Sequence, residues 1–221
     1  MSNPHLPEVP PPLTRRRGAG TDRHRPGQLP PRARILAAAA HLFIRYGVGA
    51  VGVDRIAQEA RVSKRSLYQH FQTKDALVAA TLNEVGSTVF AQFFDPDGAR
   101  TPRQRILDVF DALSEIADDE YYGCPFVNIA TEVRSREHPA VLVARHYKDL
   151  YTAYFEREAT AAGADHPHQL AQQFTLMFDG AAAHAALYSG FPESARSAVV
   201  HLLDTATGTK DVAPPLNEPV K

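Results

Sequence analysis

The sequence predicts an all-α protein, and three observations support this. Apolar residues recur three and four positions apart in one segment after another, as they do along one face of a helix. No segment shows a convincing two-residue alternation typical of a β-strand. Prolines lie near the starts of several helical segments, where their missing amide hydrogen is not needed. With 221 residues, 44% of them hydrophobic, the chain can bury the core of one large domain or two smaller ones.

Three short helices are predicted in the N-terminal part of the chain. The first begins at Pro31, carries an apolar stripe and ends at Gly47. The second spans residues 53–60, with Gly52 as the expected cap. A third follows after a tight turn. Two short helices joined in this way are typical of a helix-turn-helix, whose second helix enters the DNA major groove.

The third helix lies in the stretch RVSKRSLYQHF, residues 61–71. Ser63 is placed to cap it, and Leu67 and Phe71 lie four residues apart on one buried face. The other side chains are mostly basic or polar and face elsewhere. Lysine and arginine bind phosphate or guanine, glutamine binds adenine, and a tyrosine hydroxyl can donate to phosphate. A solvated basic surface helix is the alternative, and the agreement of charge, spacing and neighbouring helices disfavours it.

Six more helices are predicted. The fourth begins near Lys74 and runs to about Phe94, before Pro96. At roughly 30 Å it is long enough to join two domains. The fifth begins after Thr101, with a proline in its first turn. The others are expected at residues 124–135, 139–162, 167–189 and 192–206.

Charge is divided unequally along the chain. Up to Asn83 there are 13 lysines and arginines against 5 aspartates and glutamates, giving +8; the remainder has 11 against 20, giving −9. The basic first part predicts a polyanionic partner. The acidic remainder disfavours a second contact with nucleic acid.

Residues 1–31 contain eight prolines and two arginine-rich clusters, which predict a flexible basic arm. Such an arm can add nonspecific or minor-groove affinity for DNA, or it can be inert. The single cysteine, Cys124, excludes an intrachain disulfide, and the N-terminus lacks a signal-peptide pattern, so a cytoplasmic protein is expected. The longest apolar run, residues 35–44, is too short to span a membrane, and no membrane partner is expected.

The motifs HLFIRYG, VDRIAQEARVSKRSLYQHF and QTKDALVAATL, within residues 32–82, resemble the DNA-binding domain of TetR-type (TetR/AcrR) bacterial transcriptional regulators. The resemblance implies a helix-turn-helix DNA-binding domain at 32–78, a helical ligand-binding and dimerisation domain at 79–207, and a flexible tail at 208–221. It implies a homodimer on a palindromic double-stranded DNA operator, usually a repressor that a small-molecule effector releases. No catalytic residue, cofactor or metal is expected.

The resemblance assigns DNA contacts to the turn, the third helix and the start of the fourth: Ser63, Lys64, Arg65, Ser66, Tyr68, Gln69, His70 and Lys74. Two positions depart from the family pattern. Val51-Gly52 stands where a serine or threonine usually opens the second helix. Arg61 replaces the glycine usual in the turn, and a positive φ there would add modest strain.

The segment GCPFVNIATEV, followed by EHPAV, resembles a subgroup of TetR-type C-terminal domains. A small, mainly apolar effector is expected among helices four to eight, with aromatic walls and two polar groups. The candidate contacts are Phe110, Cys124, Phe126, Asn128, Glu132, Tyr151 and Phe178. Glu132 would be costly to bury alone, which predicts a ligand contact or a hidden ion pair. The alternative is that the polar stripe of this helix faces solvent or neighbouring helices.

Other functions and placements stay open at this stage. An enzyme is disfavoured because H-E-x-x-H, G-x-S-x-G and a Gly-rich phosphate loop are missing. A metal site would need His138, His146 and His184 to converge. An architectural DNA-binding protein would not need so large an acidic domain. The segment FTLMFDGAAAHAAL, residues 174–187, is interpreted as a dimer interface together with residues 192–206, and a buried core helix is its alternative.

Overall fold

The computed structural model describes residues 29–94, 100–116, 121–188 and 190–208. Within these ranges the chain forms nine α-helices and no strand, which confirms the all-α prediction. The helices are α1 Pro31–Tyr46, α2 Val53–Glu59, α3 Lys64–His70, α4 Lys74–Phe93, α5 Pro102–Ile116, α6 Pro125–Val133, α7 Pro139–Ala161, α8 Pro167–Tyr188 and α9 Glu193–Thr207. The predictions for the basic arm, for Pro96 and for most of the C-terminal tail lie outside the described residues.

Local signals explain where the helices begin and end. Gly47 ends α1 with a φ of 80°, a backbone conformation that glycine adopts without strain. The Thr73 side chain caps α4 by accepting from the Ala76 amide at 3.0 Å. Helix α6 ends at Val133, two residues earlier than predicted, because Arg134 takes a left-handed φ of 55°.

Helix α4 joins the N-terminal helices to the rest of the molecule, packing on α1 and on α7. It approaches α7 closely at Gly86, where a Cβ would lie 2.3 Å from a ring carbon of Tyr147. The Tyr147 hydroxyl donates to the Asn83 carbonyl oxygen at 2.9 Å. The missing side chain at Gly86 therefore makes room for the ring that fixes α4 on α7.

Helix α7 is central to the C-terminal part and packs against α4, α5, α6 and α8. Its Tyr151 stacks on Phe94 with ring centroids 4.2 Å apart, within a continuous cluster of aromatic rings. The buried carboxylate of Glu158 accepts from Arg105 at 2.7 Å and from Arg157 at 2.9 Å. These paired charges satisfy a group that would otherwise be costly to bury.

Candidate nucleic-acid interface and effector region

Helix α3 is held from behind by a cap and two apolar anchors. The Ser63 hydroxyl accepts from the Ser66 amide at 3.0 Å, as predicted. Leu67 and Phe71 are 1% and 5% exposed, which confirms the buried face. The Arg32 guanidinium lies over the Phe71 ring, 5.4 Å from its centroid. Helix α3 is therefore anchored to the N-terminal domain through this buried side.

The opposite side of α3 is exposed and carries the polar residues of the predicted DNA contact. Of that set, Lys64, Arg65, Tyr68, Gln69 and His70 are exposed, and Ser66 is half-buried. Lys64 forms an ion pair with Asp54 at 2.9 Å. A hydrogen bond to that carboxylate raises the pKa of Lys64. Both side chains are largely exposed, so the pair is weak and can open when a phosphate approaches.

The start of α2 and the turn between α2 and α3 contain the two departures from the family pattern. Gly52 caps α2 without a side-chain hydrogen bond. Arg61 has a φ of 54°, in the left-handed region that favours glycine. Its carbonyl accepts from the Arg34 guanidinium at 3.3 Å, which ties the turn to α1.

The loop between α1 and α2 is held by two other helices. Lys74, in the first turn of α4, donates to the Val48 carbonyl at 2.6 Å. The Glu132 carboxylate, in the last turn of α6, accepts from the amides of Val48 at 2.8 Å and Gly49 at 2.5 Å. We call this pair of bonds the Glu132 clamp. It links a C-terminal helix directly to the domain that carries α3.

Of the two roles predicted for Glu132, the hidden ion pair is wrong, and the alternative that the polar stripe faces outward holds. Glu132 is exposed, and its oxygens are bound by backbone amides and not by a cation. Asn128 is also exposed and donates to the Tyr122 carbonyl at 2.7 Å. The polar stripe of α6 thus faces outward, above a cleft of about 210 Å³ between α1 and α6. The cleft is lined by Phe43, Ile44, Gly47, Tyr122, Pro125, Asn128, Ile129 and Glu132.

The aromatic side chains predicted to line the effector site lie close together in the core, and not beside Asn128 and Glu132 on the surface. The ring centroid of Phe178 lies 6.1 Å from that of Phe110 and 5.9 Å from that of Tyr151. The centroid of Phe126 lies 6.0 Å from that of Tyr151. All four are at most 5% exposed. Cys124 is also buried. The structure therefore brings the predicted walls together but leaves the two predicted polar groups outside them.

Sequence reasoning missed the polar pair that does lie beside this cluster. The Lys148 ammonium, on α7, forms an ion pair with Asp179 on α8. It lies 4.9 Å from the Tyr151 ring centroid. Burial, with smaller effects from Cys124 and Asp179, raises the pKa of Tyr151 well above its usual range. The sequence signal that could have indicated this pair is Lys148 itself, which lies about one helical turn before Tyr151 on α7.

The three histidines considered for a metal site have separate partners. His138 lies 3.4 Å from an Asp75 carboxylate oxygen, whereas His146 and His184 pack against neighbouring tyrosine rings. In the described ranges, no group of three or more potential metal ligands gathers. None of the helices in that part of the chain is long and apolar enough to cross a membrane.

Comparisons with known proteins agree with this architecture. The family model described as "Bacterial regulatory proteins, tetR family" matches residues 35–81. The chain is 32% identical over 196 residues to the transcriptional regulator AcuR of Cereibacter sphaeroides, covering 82% of this chain and 88% of that protein. It is 34% identical over 119 residues to the HTH-type transcriptional repressor SCO4008 of Streptomyces coelicolor, covering 51% and 61%. The crystal structure of a TetR-type regulator of Streptomyces avermitilis matches with a TM-score of 0.73 and 38% identity, covering 80% of this chain and 98% of that one.

The fold and the exposed helix α3 define a helix-turn-helix DNA-binding protein with a helical C-terminal domain. The chain belongs to the TetR family of bacterial transcriptional regulators. Members of this family are DNA-binding regulators and not enzymes, so the enzyme alternative is set aside.

Proposed function

We propose that this protein is a homodimeric repressor that binds a palindromic operator through α3 and is released by a small molecule bound in its C-terminal domain. The DNA-binding part of this proposal is supported by the contrast between the two sides of α3. Leu67 and Phe71 anchor one side in the core, and the open side is polar. The proposed boundaries are 32–78 for the DNA-binding domain and 79–207 for the effector-binding and dimerisation domain. The relative SCO4008 is named a repressor, which supports this sign of regulation.

The proposed DNA contacts divide into base readers and positioning groups. Arg65 and Gln69 are exposed and have the donors that read guanine and adenine edges. Lys64 and Tyr68 are proposed to bind phosphate, with Lys64 leaving Asp54 as it does so. Ser63 acts through the cap. Lys74 uses one hydrogen of its ammonium on Val48 and has others for phosphate.

The proposed dimer interface is the open face of α8 together with α9. Leu176, Gly180, Ala183 and Leu187 follow one another at spacings of four, three and four, which places them on one side of α8. Leu176 and Leu187 are 72% and 77% exposed in the single chain, an unusual cost for large apolar side chains. The opposite side of α8 carries Phe174 and Phe178 into the core. The small residues between the two leucines permit close approach of a second α8.

The proposed effector site is the aromatic cluster around Phe126, Tyr151 and Phe178. These rings come from α6, α7 and α8 and therefore join three helices at one point. Cys124 lies close enough to Tyr151 to affect its ionisation. Asn128 and Glu132 are proposed to report the movement of α6 and not to hold the effector, because they lie on its outer side.

The DNA-binding proposal is tested by selecting bound sites from random DNA and then measuring the affinity of variants. A palindromic consensus is expected, since a symmetric dimer presents two copies of α3. Lys64→Ala and Tyr68→Ala are expected to weaken operator binding, and Lys64→Ala to lower the salt slope by about one. Arg145→Ala, which removes a positive charge from an exposed position of α7 outside the proposed DNA contacts, is the matched control. Equal affinities in all three variants would refute the assignment of α3.

The dimer proposal needs its own measurement. Ala183→Glu places a carboxylate on the open face of α8 without touching the core, and it is expected to give a monomer in sedimentation velocity. Such a monomer should also lose most operator affinity, because each half-site then binds alone. A dimer that persists in this variant would place the interface elsewhere.

A further inference from the structure

The Lys148 ammonium lies inside a three-sided cage of aromatic rings. Its nitrogen is 4.9 Å from the Tyr151 centroid, 5.7 Å from Phe178 and 5.8 Å from Phe126. All three distances fall within the range in which a cation is attracted by a ring face. The Asp179 carboxylate pairs with the same nitrogen. One ammonium group therefore occupies a site with three ring faces and a counter-charge.

The rings are arranged as walls and not as a stack. The Tyr151 plane stands at 87° to Phe126 and at 79° to Phe178. All three rings are at most 5% exposed and are fixed by further aromatic neighbours. Lys148 and Asp179, by contrast, keep 18% and 27% of their side-chain surface exposed. The charged pair thus lies between the three buried rings and solvent.

We infer that this cage binds the effector and that the effector is an organic cation with an apolar body, which takes the place of the Lys148 ammonium against Asp179. This inference rests on the proposed function, because it names the chemical class of the small molecule that acts there. The lysine is then an internal competitor that keeps the cage filled when no effector is present.

The chemistry of the two partners favours a cation over an anion. Lys148 has a long flexible side chain that already reaches solvent, so its ammonium can withdraw and be hydrated. Asp179 is short and remains beside the rings when the lysine leaves. The vacated site then consists of three electron-rich ring faces and one carboxylate, and both attract positive charge. An anion would have to displace Asp179 and would meet the same ring faces unfavourably.

The experiment uses three soluble probes of one size: benzylammonium, benzyl alcohol and benzoate. Binding to the full-length protein is measured by isothermal titration calorimetry in the absence of DNA. Benzylammonium is expected to bind about tenfold more tightly than benzyl alcohol, and benzoate more weakly than either. Tighter binding of benzoate than of benzylammonium, or equal binding of all three, would overturn the inference.

Two substitutions are expected to change the affinity for benzylammonium in opposite directions. Lys148→Ala removes the competitor and is expected to tighten benzylammonium binding by about tenfold, whereas Asp179→Asn is expected to weaken it by about tenfold. The controls are Arg145→Ala and Asp149→Asn, which make the same charge changes at exposed positions of α7. If Lys148→Ala weakens benzylammonium binding, or if the controls shift it as much, the cage is not the site.

A separate measurement distinguishes this inference from the proposed function. Operator binding is determined without probe and then with saturating benzylammonium. A protein that binds its operator and binds benzylammonium in the cage, yet is not released, supports the cationic site and contradicts effector release. A protein that is released from DNA by benzoate and not by benzylammonium supports release and contradicts the cationic site.

Discussion

Replacement of Glu132 by alanine removes the bonds that its carboxylate accepts from the amides of Val48 and Gly49 in the α1–α2 loop. The Val48 residue is 9% exposed, so water can replace the lost acceptor only in part. The variant should leave the cores of both domains intact, because the carboxylate itself is on the surface. Its effect is expected on how the two domains are held together.

The size of that effect follows from the nature of the bonds. A hydrogen bond to a charged group contributes about 1.5 to 3 kcal/mol when it is buried, and exposure lowers this. With one partly buried amide and one exposed amide, about 1 to 3 kcal/mol is expected for the pair. If the whole free energy of the clamp serves to hold α3 in its binding position, Glu132→Ala should weaken operator binding by about 5- to 150-fold.

The assay is a double-mutant cycle with Gly49→Ala. A Cβ at Gly49 would lie 3.0 Å from a Glu132 carboxylate oxygen, and no other atom of the described residues beyond its chain neighbours lies within 4 Å, so the substitution disturbs the clamp in particular. Gly49→Ala should therefore lower the free energy of unfolding and the operator affinity in the wild type, and have little effect once Glu132 is alanine. Glu137→Ala, at an exposed position nearby, is the charge control. Equal costs of Gly49→Ala in both backgrounds would refute the clamp.

Three further predictions concern stability. Gly86→Ala should lower the free energy of unfolding by about 1 to 3 kcal/mol in denaturant titrations, because its Cβ would overlap the Tyr147 ring. Ser63→Ala should cost about 1 kcal/mol in the same assay through loss of the α3 cap. Burial raises the pKa of Tyr154 to about 12, so the folded protein keeps a proton that the unfolded chain releases above about 10. The free energy of unfolding should therefore decline from pH 10 to 12, and less steeply in Tyr154→Phe.

Features set by near neighbours in the chain could be predicted. The cap at Ser63 and the buried pair Leu67 and Phe71 depend on spacings of three and four residues, which a helix converts directly into contacts. The family resemblance drew attention to Arg61, which stands where a glycine is usual and does have a positive φ. These features define α3, so the resemblance to TetR-type regulators could be recognised from residues 32–82 alone.

Features set by distant partners could not be predicted. Glu132 meets amides more than eighty positions earlier in the chain, and no periodicity of α6 indicates whether its polar stripe faces the core or that loop. Gly47 and Gly49 flank the clamped residue Val48, and their lack of side chains gives the carboxylate its space. Likewise, the partner of Lys148 lies on the next helix. Only the packing of α6, α7 and α8 reveals that cage.

Helix α6 connects the aromatic cage around Lys148 to the Glu132 clamp, so a ligand in the cage is expected to act on the clamp. Phe126 is a wall of the cage, and Glu132 lies six residues later on the same helix, about 9 Å along its axis. Because a nine-residue helix moves as a rigid unit, a shift of Phe126 by 1 Å would move the Glu132 carboxylate similarly and stretch the 2.8 Å bond to Val48 beyond useful length. A ligand in the cage should therefore speed hydrogen exchange at the amides of Val48 and Gly49, as measured by NMR. Unchanged exchange at a saturating ligand concentration would show that α6 does not carry the signal.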